Sequence, residues 1–520
     1  MSSRKLSSFT AGIDAIRIVG SGDPLVRGLV YDSRAVEPGC LFFALDGLHT
    51  DGHLFVDEAI ARGAVAVIHS HPLSSYRSGV VYVQVDSARR SMSPTASAFF
   101  EHPSERLAVV GVTGTEGKST SVYLIYQLLD LAGYAAGFFS TVMSRTGREE
   151  VINSEHQTTP EAPAVQQMLA EMLESGMEYA IIESSSHGLS PRTNRLSDVA
   201  FDVGVMTNVT HEHLEFHGSW EQYRNDKANL FRALDRPSNG AERTHRKRIA
   251  GRERELPAFG VANADDPSAG YFARATAKPV YTFSALGSAA DLRASEIRAD
   301  RDGSDFLLAE GKASWRARIN LPGVFNVANA LASLLVVAHL TERPLADFVP
   351  ILPNLRPVRG RMSRIDRGQP FDLLVDYAHT PSSFEAILPA ARAQTKGRLI
   401  ALFGSGGERD VEKRRLQGEV ADRYCDIILL ADEDPRGEEP ASILEEIAQG
   451  IHGKARGESL LLIPDRLEAI RAAMRIAQAG DTLLLLGKGH EHSIIYRNEA
   501  IPWDEIGAAE RCLSELGYPR

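Results

Sequence analysis

The chain has 520 residues, of which 43% are hydrophobic and 24% are charged, and its formal net charge at pH 7 is −11. This length is too great for one hydrophobic core, so we expect two to four domains. The composition is that of a soluble globular protein, and the negative charge argues against general nucleic-acid binding, which needs a basic face.

Three features bear on the compartment. The cysteines Cys40, Cys425 and Cys512 lie far apart and lack metal-site spacing, so we expect a reducing environment without disulfides. The N-terminal stretch MSSRKLSSFTAGID has no apolar core like that of a signal peptide. The apolar run LLVVAHL at 334–340 is too short to span a bilayer. These features predict a cytoplasmic protein that does not insert into membranes.

Residues 1–105 are predicted to form a small α/β domain. The stretch LVYDSRAVEPGCLFFAL has a strand pattern on either side of a polar turn. The stretch FVDEAIARGAVAVI then predicts a helix, a stop at Gly63 and a buried strand.

Residues 106–355 are predicted to form a central domain of the P-loop type. A strand at 107–110, a glycine-rich loop and a helix ending near Gly133 open it, and strand-like and helix-like segments then alternate. This alternation predicts a mostly parallel sheet with helices on both faces. A long helix is expected at 323–340. The basic run RTHRKR at 243–248 is predicted to be a solvated surface loop.

A stretch with two prolines, PNLRPVRGRM at 353–362, predicts a linker, after which the alternation restarts. Residues 356–520 are therefore predicted to form a third, Rossmann-like α/β domain. Four of its polar loops follow strands: VDYAHTP, GSGGERD, DEDPRGEEP and GKGHE. In open α/β sheets ligands bind at such strand ends, so these loops predict a pocket for a small polar molecule with both charge signs.

The stretch GVTGTEGKST at 111–120 contains the clearest chemical signal. Its backbone N–H groups and the following helix can bind phosphate oxygens, Lys118 can reach the terminal phosphates, and Ser119 or Thr120 can hold Mg²⁺. The fit to the standard Walker pattern is imperfect, because Val112 stands where that pattern has glycine. An exposed lysine in a glycine-rich turn is the simpler alternative, and the strand–loop–helix context disfavours it.

Further candidate ligands follow two later strands. Glu183 ends a buried strand and is placed to bind Mg²⁺ in the second half of a nucleotide site. The stretch TNVTHEHLEFHG at 207–218 contains His211, His213 and His217. A zinc site and a single histidine serving a hard metal beside a phosphate are both consistent with it, although no cysteine is near. On pattern alone, Lys227 is a solvated helical lysine.

These motifs together resemble the Mur ligases, and among them the synthetases that add the third amino acid to UDP-N-acetylmuramoyl dipeptide in peptidoglycan assembly. The family's nucleotide loop is G-T-x-G-K-[ST], which accounts for Val112. The resemblance covers nearly the whole chain and rests on motifs that recur in order: YDSR, DGH, TGTEGKST, TTP, ESSSHGL, NVTHEHLEFHG, GVFNVANALA, GRM, DYAHTP and GKGHE.

The resemblance implies roles for individual positions. It implies ATP and two Mg²⁺ ions, a catalytic set of Lys118, Glu183, His213 and Lys227, and a carbamylated Lys227. The implied metal ligands are Ser119, Thr120, Glu183, His213 and the Lys227 carbamate. The implied ATP contacts are Gly114, Thr115, Glu116, Gly117, Lys118, Ser119, Thr120, Asn326, Asn329, Arg361, Asp376 and His379. The implied contacts to the UDP-muramoyl substrate are Ser33, Thr158, Thr159, Ser186 and Arg195.

The implied amino-acid pocket consists of Arg409, Asp434, Arg436, Gly487 and Glu491. Family members that use meso-diaminopimelate usually have D-N-P-R where this chain has Glu433-Asp434-Pro435-Arg436. The extra charge of Asp434 attracts an amine and repels a second carboxylate, by about 1 kcal/mol or more, whereas Arg436 suits a carboxylate. We expect L-lysine or L-ornithine as the added diamino acid, with meso-diaminopimelate as the alternative.

Several other functions are consistent with part of this motif set. Folylpolyglutamate synthetase and the Mur ligase that adds D-Ala-D-Ala are the nearest alternatives, and YDSR, DEDPR and GKGHE disfavour them. A nucleotide-gated switch without ligation needs no second substrate pocket, and a zinc enzyme is a further alternative. We expect a monomer whose partners are the UDP-muramoyl dipeptide and a free diamino acid.

Overall fold

A computed structural model of the chain describes residues 3–47, 50–153, 157–210, 214–235, 245–408, 410–497 and 499–518. In these ranges, sheets of five, eleven and six strands follow one another along the chain, beside three two-stranded pairs. The predicted multi-domain α/β fold is confirmed.

The first unit is built on the five-stranded sheet, in the order β2-β7-β6-β5-β4, with β2 antiparallel at one edge and the other strands parallel. Its strands are β1 (Arg4–Lys5), β2 (Ala15–Val19), β3 (Leu25–Val26), β4 (Gly28–Val30), β5 (Cys40–Ala44), β6 (Ala66–His69) and β7 (Val81–Val85). Its helices are α1 (Ser7–Thr10), α2 (Val56–Ala61) and α3 (Ala88–Phe99).

The central unit contains the eleven-stranded sheet and, outside it, a two-stranded pair. Its strands are β8 (Ala108–Thr113), β9 (Ala136–Phe139), β10 (Met143–Arg145), β11 (Val151–Ile152), β12 (Tyr179–Glu183), β13 (Val203–Met206), β14 (Arg246–Ile249), β15 (Arg252–Glu255), β16 (Phe259–Asn263), β17 (Val280–Ser284), β18 (Leu292–Ala299), β19 (Ser304–Glu310) and β20 (Ala313–Ile319). Its helices are α4 (Lys118–Leu131), α5 (Ala162–Glu174), α6 (Ser186–Leu189), α7 (Leu214–His217), α8 (Trp220–Arg232), α9 (Ala269–Ala273) and α10 (Val324–Thr341).

The central sheet has the order β11-β10-β9-β12-β8-β13-β16-β17-β18-β19-β20. In this order across the sheet, the seven neighbouring strands that begin with β9 and end with β18 are parallel. Antiparallel strands extend both edges, β10 and β11 on one side and β19 and β20 on the other. Strand β8 is buried along its whole length because hydrophobic clusters cover both faces of the sheet. The expected mostly parallel sheet is thus present, together with antiparallel edges that the sequence did not predict.

Helix α10 is long and apolar enough to cross a membrane by length and composition, with a mean hydropathy of 1.7. However, 72% of it is buried inside the protein, where it packs on helix α4 and on the sheet. It is therefore a core helix of the central unit.

The prediction of a solvated loop at 243–248 is wrong for the part that the structure describes. Strands β14 and β15 form a hairpin here, and Lys247 is only 5% exposed. The Lys247 ammonium donates to Oδ2 of Asp202 at 2.6 Å and to three backbone carbonyls, and His245 Nδ1 lies 2.9 Å from Oδ1 of Asp202. The basic residues alternate between the interior and solvent, as a strand requires.

The third unit has a six-stranded sheet in the order β21-β22-β26-β23-β24-β25, parallel except for edge strand β21. Its strands are β21 (Ser363–Ile365), β22 (Asp372–Asp376), β23 (Leu399–Phe403), β24 (Ile427–Leu430), β25 (Leu460–Leu462), β26 (Thr482–Leu486), β27 (Ser493–Tyr496) and β28 (Glu499–Pro502). Its helices are α11 (Pro381–Gln394), α12 (Glu412–Tyr424), α13 (Pro440–Ala448), α14 (Arg466–Ile476) and α15 (Glu505–Glu515). All three cysteines of the chain are free and buried.

Candidate active site

The glycine-rich loop at 114–117 joins strand β8 to helix α4. A Cβ on Gly114 would lie 1.8 Å from Oγ1 of Thr207. Gly117 has a φ of +81°, and a Cβ there would lie 2.5 Å from Oδ1 of Asn329. Glycine is therefore required at both positions. The loop presents bare backbone at the positive end of a 14-residue helix, which fits a phosphate group.

Two side chains after the neighbouring strand β13 hold this loop in place. Oγ1 of Thr207 donates to the carbonyl of Glu116 at 2.6 Å. The Asn208 side chain accepts from the Glu116 N–H at 2.8 Å and donates to its carbonyl at 3.1 Å. The sequence interpretation assigned no role to either residue. Their position directly after a strand that pairs with β8 was the available signal.

Lys118 begins helix α4, and its ammonium donates to the carbonyl of Thr115 at 2.7 Å. The charge thus lies over the same loop whose N–H groups can meet a phosphate. A positive charge held there can bind the oxygens of a terminal phosphate.

Three oxygen-bearing side chains lie beside this loop. Strands β12 and β8 are parallel neighbours, which places Glu183 opposite Val112. Oγ of Ser119 donates to Oε2 of Glu183 at 2.8 Å. Thr141 donates to the same carboxylate through its N–H at 2.8 Å and its hydroxyl at 3.0 Å. A carboxylate and two hydroxyls form a hard-oxygen donor set that suits Mg²⁺. The sequence interpretation missed Thr141.

Lys227, on helix α8, is only 1% exposed, so the pattern-based reading of a solvated lysine is wrong. Its ammonium donates to the carbonyl of Gly114 at 2.6 Å and lies 4.4 Å from the centre of the Tyr223 ring. The side chain therefore ends at the nucleotide loop. Two other candidates, His211 and His213, lie outside the described residues.

A cleft of about 720 Å³ lies between the central and third units. Its walls combine the nucleotide loop with the polar loops of the third unit. The lining residues are Thr115, Glu116, Gly117, Lys118, Ser119, Thr120, Thr141, Thr158, Glu183, Thr210, Arg361, Tyr377, His379, Thr380, Pro381, Ser382, Gly406, Asp410, Glu412, Lys413, Leu416, Glu433, Asp434, Arg436, Glu491 and Ile495.

Of the predicted contacts around adenine, ribose and phosphate, Arg361 and His379 line this cleft. Asn326 and Asn329 are buried on helix α10, and Oδ1 of Asn329 accepts from Oγ of Ser121 at 3.3 Å. The Arg361 guanidinium lies 4.5 Å from the centre of the Tyr377 ring. The planar guanidinium of Arg361 therefore lines the cleft beside this ring.

Asp376 holds the backbone beside Arg361. Its carboxylate accepts from the N–H groups of Met362 and Ala378, both at 2.7 Å. Burial raises the pKa of Asp376, and Arg361 and the two N–H groups oppose that effect. Nδ1 of His379 donates to the Tyr377 carbonyl at 2.9 Å.

One side-chain contact crosses the cleft directly. Oγ1 of Thr380, the N-cap of helix α11, lies 3.3 Å from Oε1 of Glu116 in the nucleotide loop. The third unit therefore contacts the nucleotide loop directly. The sequence interpretation did not identify Thr380.

Four of the predicted contacts to the UDP-muramoyl substrate, Thr158, Thr159, Ser186 and Arg195, lie in the central unit. Oγ1 of Thr159 donates to the carbonyl of Glu183 at 3.0 Å. Arg195 donates to the carbonyl of Thr159 at 2.8 Å and to Oε1 of Glu161 at 2.9 Å. The Ser186 hydroxyl lies 3.1 Å from Nε2 of His217, and Thr158 lines the cleft. The fifth predicted contact, Ser33, lies on the first unit and donates to Oε2 of Glu58 at 3.2 Å.

The predicted amino-acid loops are tied together by a lysine that the sequence interpretation left out of the pocket. The buried Lys488 ammonium lies 2.9 Å from Oδ1 of Asp434 and 2.5 Å from Oε2 of Glu491. Burial opposes the Lys488 charge, but the two carboxylates outweigh it, and the pKa of Lys488 lies above its usual value. Asp434 also accepts from the N–H of Ile495 at 3.0 Å. Asp434 is thus not a free charge.

A second carboxylate in this corner has no such partner. Glu433 lines the cleft, and its buried Oε2 makes no hydrogen bond to the described residues. Burial raises the pKa of Glu433 to about 7. Gly487 is required beside it, because its φ is +100° and a Cβ there would lie 2.5 Å from Oε2 of Glu433. Arg436 lines the cleft from a left-handed backbone with φ +54°, and Arg409 lies outside the described residues.

Comparisons with known proteins agree with this geometry. Family models match three segments: the Mur ligase family catalytic domain at 25–100, the Mur ligase middle domain at 112–337, and the Mur ligase glutamate ligase domain at 360–489.

Two curated relatives match nearly the whole chain. A UDP-N-acetylmuramyl-tripeptide synthetase of Treponema denticola is 45% identical over 98% of both chains. A UDP-N-acetylmuramoyl-L-alanyl-D-glutamate–2,6-diaminopimelate ligase of Geobacillus kaustophilus is 36% identical over 99% of this chain and 100% of the relative.

A solved structure of a UDP-N-acetylmuramoyl-L-alanyl-D-glutamate–2,6-diaminopimelate ligase superposes with a TM-score of 0.62 at 27% identity, and the match covers 98% of this chain and 99% of that one. The similarity thus extends through all three units and both walls of the cleft. The chain belongs to the Mur ligase family, which makes it an ATP-dependent ligase.

Proposed function

We propose that this ligase adds the third amino acid, L-lysine or L-ornithine, to UDP-N-acetylmuramoyl-L-alanyl-D-glutamate during synthesis of a peptidoglycan precursor. The names of full-length relatives support the third step. One observation carries the proposal: a single cleft has Lys118 and the nucleotide loop on one wall and Asp434, Arg436 and Glu491 on the other. We propose that domains 1–105, 106–355 and 356–520 act together as a cytoplasmic monomer.

ATP and magnesium fit the residues present. The loop around Gly117 has no room for a side chain, and Ser119, Thr141 and Glu183 form an oxygen donor set. When bound, ATP supplies the γ-phosphoryl group that converts the substrate carboxylate into an acyl phosphate, and two Mg²⁺ ions screen the repulsion between the two anions.

The residues of the nucleotide wall hold and neutralise charge. The Lys118 ammonium can reach terminal phosphate oxygens when it exchanges its hydrogen bond to the Thr115 carbonyl for one to the phosphate. Ser119, Thr120 and Glu183 would hold one metal ion, with Thr141 bound to the same carboxylate. We assign the second to His213 and to Lys227 as a carbamate, because carbamylation replaces a buried cation by a carboxylate-like ligand. The position of Lys227 supports this assignment, because the buried side chain ends 2.6 Å from the carbonyl of Gly114 in the nucleotide loop.

The third unit presents the amino acid. The α-amine, having lost a proton, attacks the activated carbonyl carbon, and an amide bond forms as phosphate leaves. The contact between Thr380 and Glu116 joins the third unit to the nucleotide loop, and we infer that the cleft closes at this point during the reaction. Closure excludes water, which would otherwise hydrolyse the acyl phosphate.

The choice of L-lysine or L-ornithine rests on Glu433. Burial raises its pKa to about 7 although Lys413, Lys488 and Arg466 oppose this effect, and its Oε2 makes no hydrogen bond to the described residues. A side-chain ammonium of the substrate would give this oxygen a charged hydrogen-bond donor. Asp434 contributes less to this preference than its charge suggests, because Lys488 neutralises it.

The same reaction with meso-diaminopimelate is the second candidate, and Arg436 favours it. Its guanidinium lines the cleft, and its Nε has no hydrogen-bond partner among the described residues. A distal carboxylate could pair with it in a bidentate manner.

Ligation assays with each amino acid separately test both candidates. We expect ADP release to depend strictly on the UDP-muramoyl dipeptide and on an amino acid, with L-lysine or L-ornithine used in preference to meso-diaminopimelate. Exclusive use of meso-diaminopimelate would overturn the amino-acid assignment. ATP turnover that ignores both substrates would overturn ligation itself.

A further inference from the structure

Three buried side chains of the central unit form a hydrogen-bonded chain that ends at Ser186, one of the proposed contacts to the UDP-muramoyl substrate. Oγ of Ser186 lies 3.1 Å from Nε2 of His217, and Nδ1 of His217 lies 2.8 Å from Oδ2 of Asp226. Each of the three residues is at most 3% exposed. No step of the ligation described above uses His217.

The local sequence explains how the chain forms. Helix α7 ends at His217, and Gly218, with φ +79°, reverses the backbone. Ser219 then caps helix α8 by accepting from the N–H of Gln222. Asp226 follows in the second turn of α8, so the imidazole at the end of α7 contacts the next helix. Ser186 arrives from the other side, three residues after the end of strand β12.

The partners determine where the protons lie. A carboxylate against Nδ1 fixes the hydrogen of the imidazole on that nitrogen. Gln222 donates to the other Asp226 oxygen at 2.8 Å and so holds the carboxylate in place. Nε2 is then an acceptor, and the Ser186 hydroxyl donates to it.

Thr159 shows the same polarity in the same corner. Its hydroxyl donates to the carbonyl of Glu183 and accepts from the N–H of Ser185, both at 3.0 Å. The hydroxyl protons of Thr159 and Ser186 are thus both used inside the protein. Toward a ligand, these two side chains offer only oxygen lone pairs.

We propose that His217 is a positioning residue for the UDP-muramoyl peptide. Its Nε2 accepts the hydrogen bond that the Ser186 hydroxyl donates, so Ser186 can only accept a hydrogen bond from a substrate amide N–H and cannot donate one to a carboxylate. This inference rests on the proposed function, in which Ser186 contacts that substrate. His217 acts through Ser186 and need not touch the substrate itself.

A double-mutant cycle tests the dependence on Ser186. We expect Ser186→Ala and His217→Ala each to raise the KM for the UDP-muramoyl dipeptide by about tenfold, and the double variant to raise it no further than Ser186→Ala alone. The KM for ATP should change by less than about twofold. His217→Gln, which can place an amide oxygen near the position of Nε2, should recover part of the loss. Additive effects in the double variant would overturn the inference.

A matched control separates positioning from packing. His245 is also buried, with Nδ1 2.9 Å from a carboxylate oxygen of Asp202, but it lies under the β14–β15 hairpin. His245→Ala should lower the melting temperature without changing the KM for the dipeptide substrate. If His217→Ala behaves in the same way as His245→Ala, the positioning role is wrong.

Ester analogues of the substrate test the polarity. In each analogue, one of the two peptide N–H groups of the UDP-muramoyl dipeptide is replaced by oxygen. For one analogue, we expect the wild-type chain to lose about tenfold in kcat/KM and Ser186→Ala to lose nothing further. Equal use of amide and ester substrates by the wild-type chain would overturn the inference and leave the ligation intact. A wild-type chain that ligates no amino acid would instead overturn the proposed function.

Discussion

The Lys488 ammonium lies 2.9 Å from Oδ1 of Asp434, so the aspartate in the DEDPR loop is an ion-paired group and not a free charge. Lys488 is 0% exposed and also contacts Glu491. Removing one partner of a buried pair costs more than the pair itself contributes, because the other charge is left without compensation. The two partners of this pair are therefore expected to differ in their effects on substrate choice and on activity.

Asp434→Asn should change the ratio of kcat/KM for L-lysine to that for meso-diaminopimelate by less than about threefold, because Lys488 already screens the aspartate. Lys488→Met should lower kcat/KM for every amino acid by at least about 100-fold, since two carboxylates lose their cation. Steady-state kinetics with saturating ATP and dipeptide measure both. A complete switch of specificity in Asp434→Asn would show that its charge faces the substrate.

Some of the site could be predicted from local sequence. The nucleotide loop is recognisable because a buried strand, glycines and a helix follow one another within residues 108–131, and Glu183 ends the neighbouring strand. Local signals of this kind depend only on backbone conformation and burial within one segment.

The partners of the charged residues could not be predicted in the same way. Lys488 and Asp434 are 54 positions apart in sequence, and Lys247 and Asp202 are 45 apart. Spacing predicts an exposed Lys247 and gives Lys488 no partner, and only the fold shows that both are buried against carboxylates. This is why the expected loop at 243–248 and the expected free charge at Asp434 both needed revision.

Lys118→Ala should reduce amide synthesis by at least about 100-fold, because the ammonium over the nucleotide loop is a preorganised charge that acts on the transferred phosphoryl group. The measurement is product formation from ATP, dipeptide and amino acid by chromatography, on protein whose melting temperature matches the wild type. Lys312→Ala is the control, because Lys312 is exposed in a hairpin turn between strands β19 and β20. Undiminished synthesis in Lys118→Ala would refute the proposed mechanism.

Glu433→Gln should stabilise the protein above neutral pH. Burial raises the pKa of Glu433 from 4.5 to about 7, so the folded chain binds a proton in this range that the unfolded chain releases. Wild-type stability should therefore fall as pH rises from about 4.5 to 7, by up to about 3 kcal/mol. Glu433→Gln has no carboxyl group to titrate, and the difference in melting temperature between variant and wild type should grow over this range. A difference independent of pH would show that Glu433 is ionised throughout.

Lys247→Met should destabilise the central unit by about 3–5 kcal/mol, because it leaves the fully buried Asp202 beside unpaired carbonyls. Burial opposes ionisation of Asp202, but Lys247, His245 and the Val109 N–H outweigh it and lower its pKa. Wild-type stability from this group is thus present above a pH of about 4 and is lost as the pH falls through the lower folded pKa. Denaturant unfolding at pH 7 measures the loss, and Arg248→Met, exposed on the same strand, should stay within about 0.5 kcal/mol of wild type. Equal effects of the two substitutions would mean that the buried pair contributes nothing beyond an ordinary surface charge.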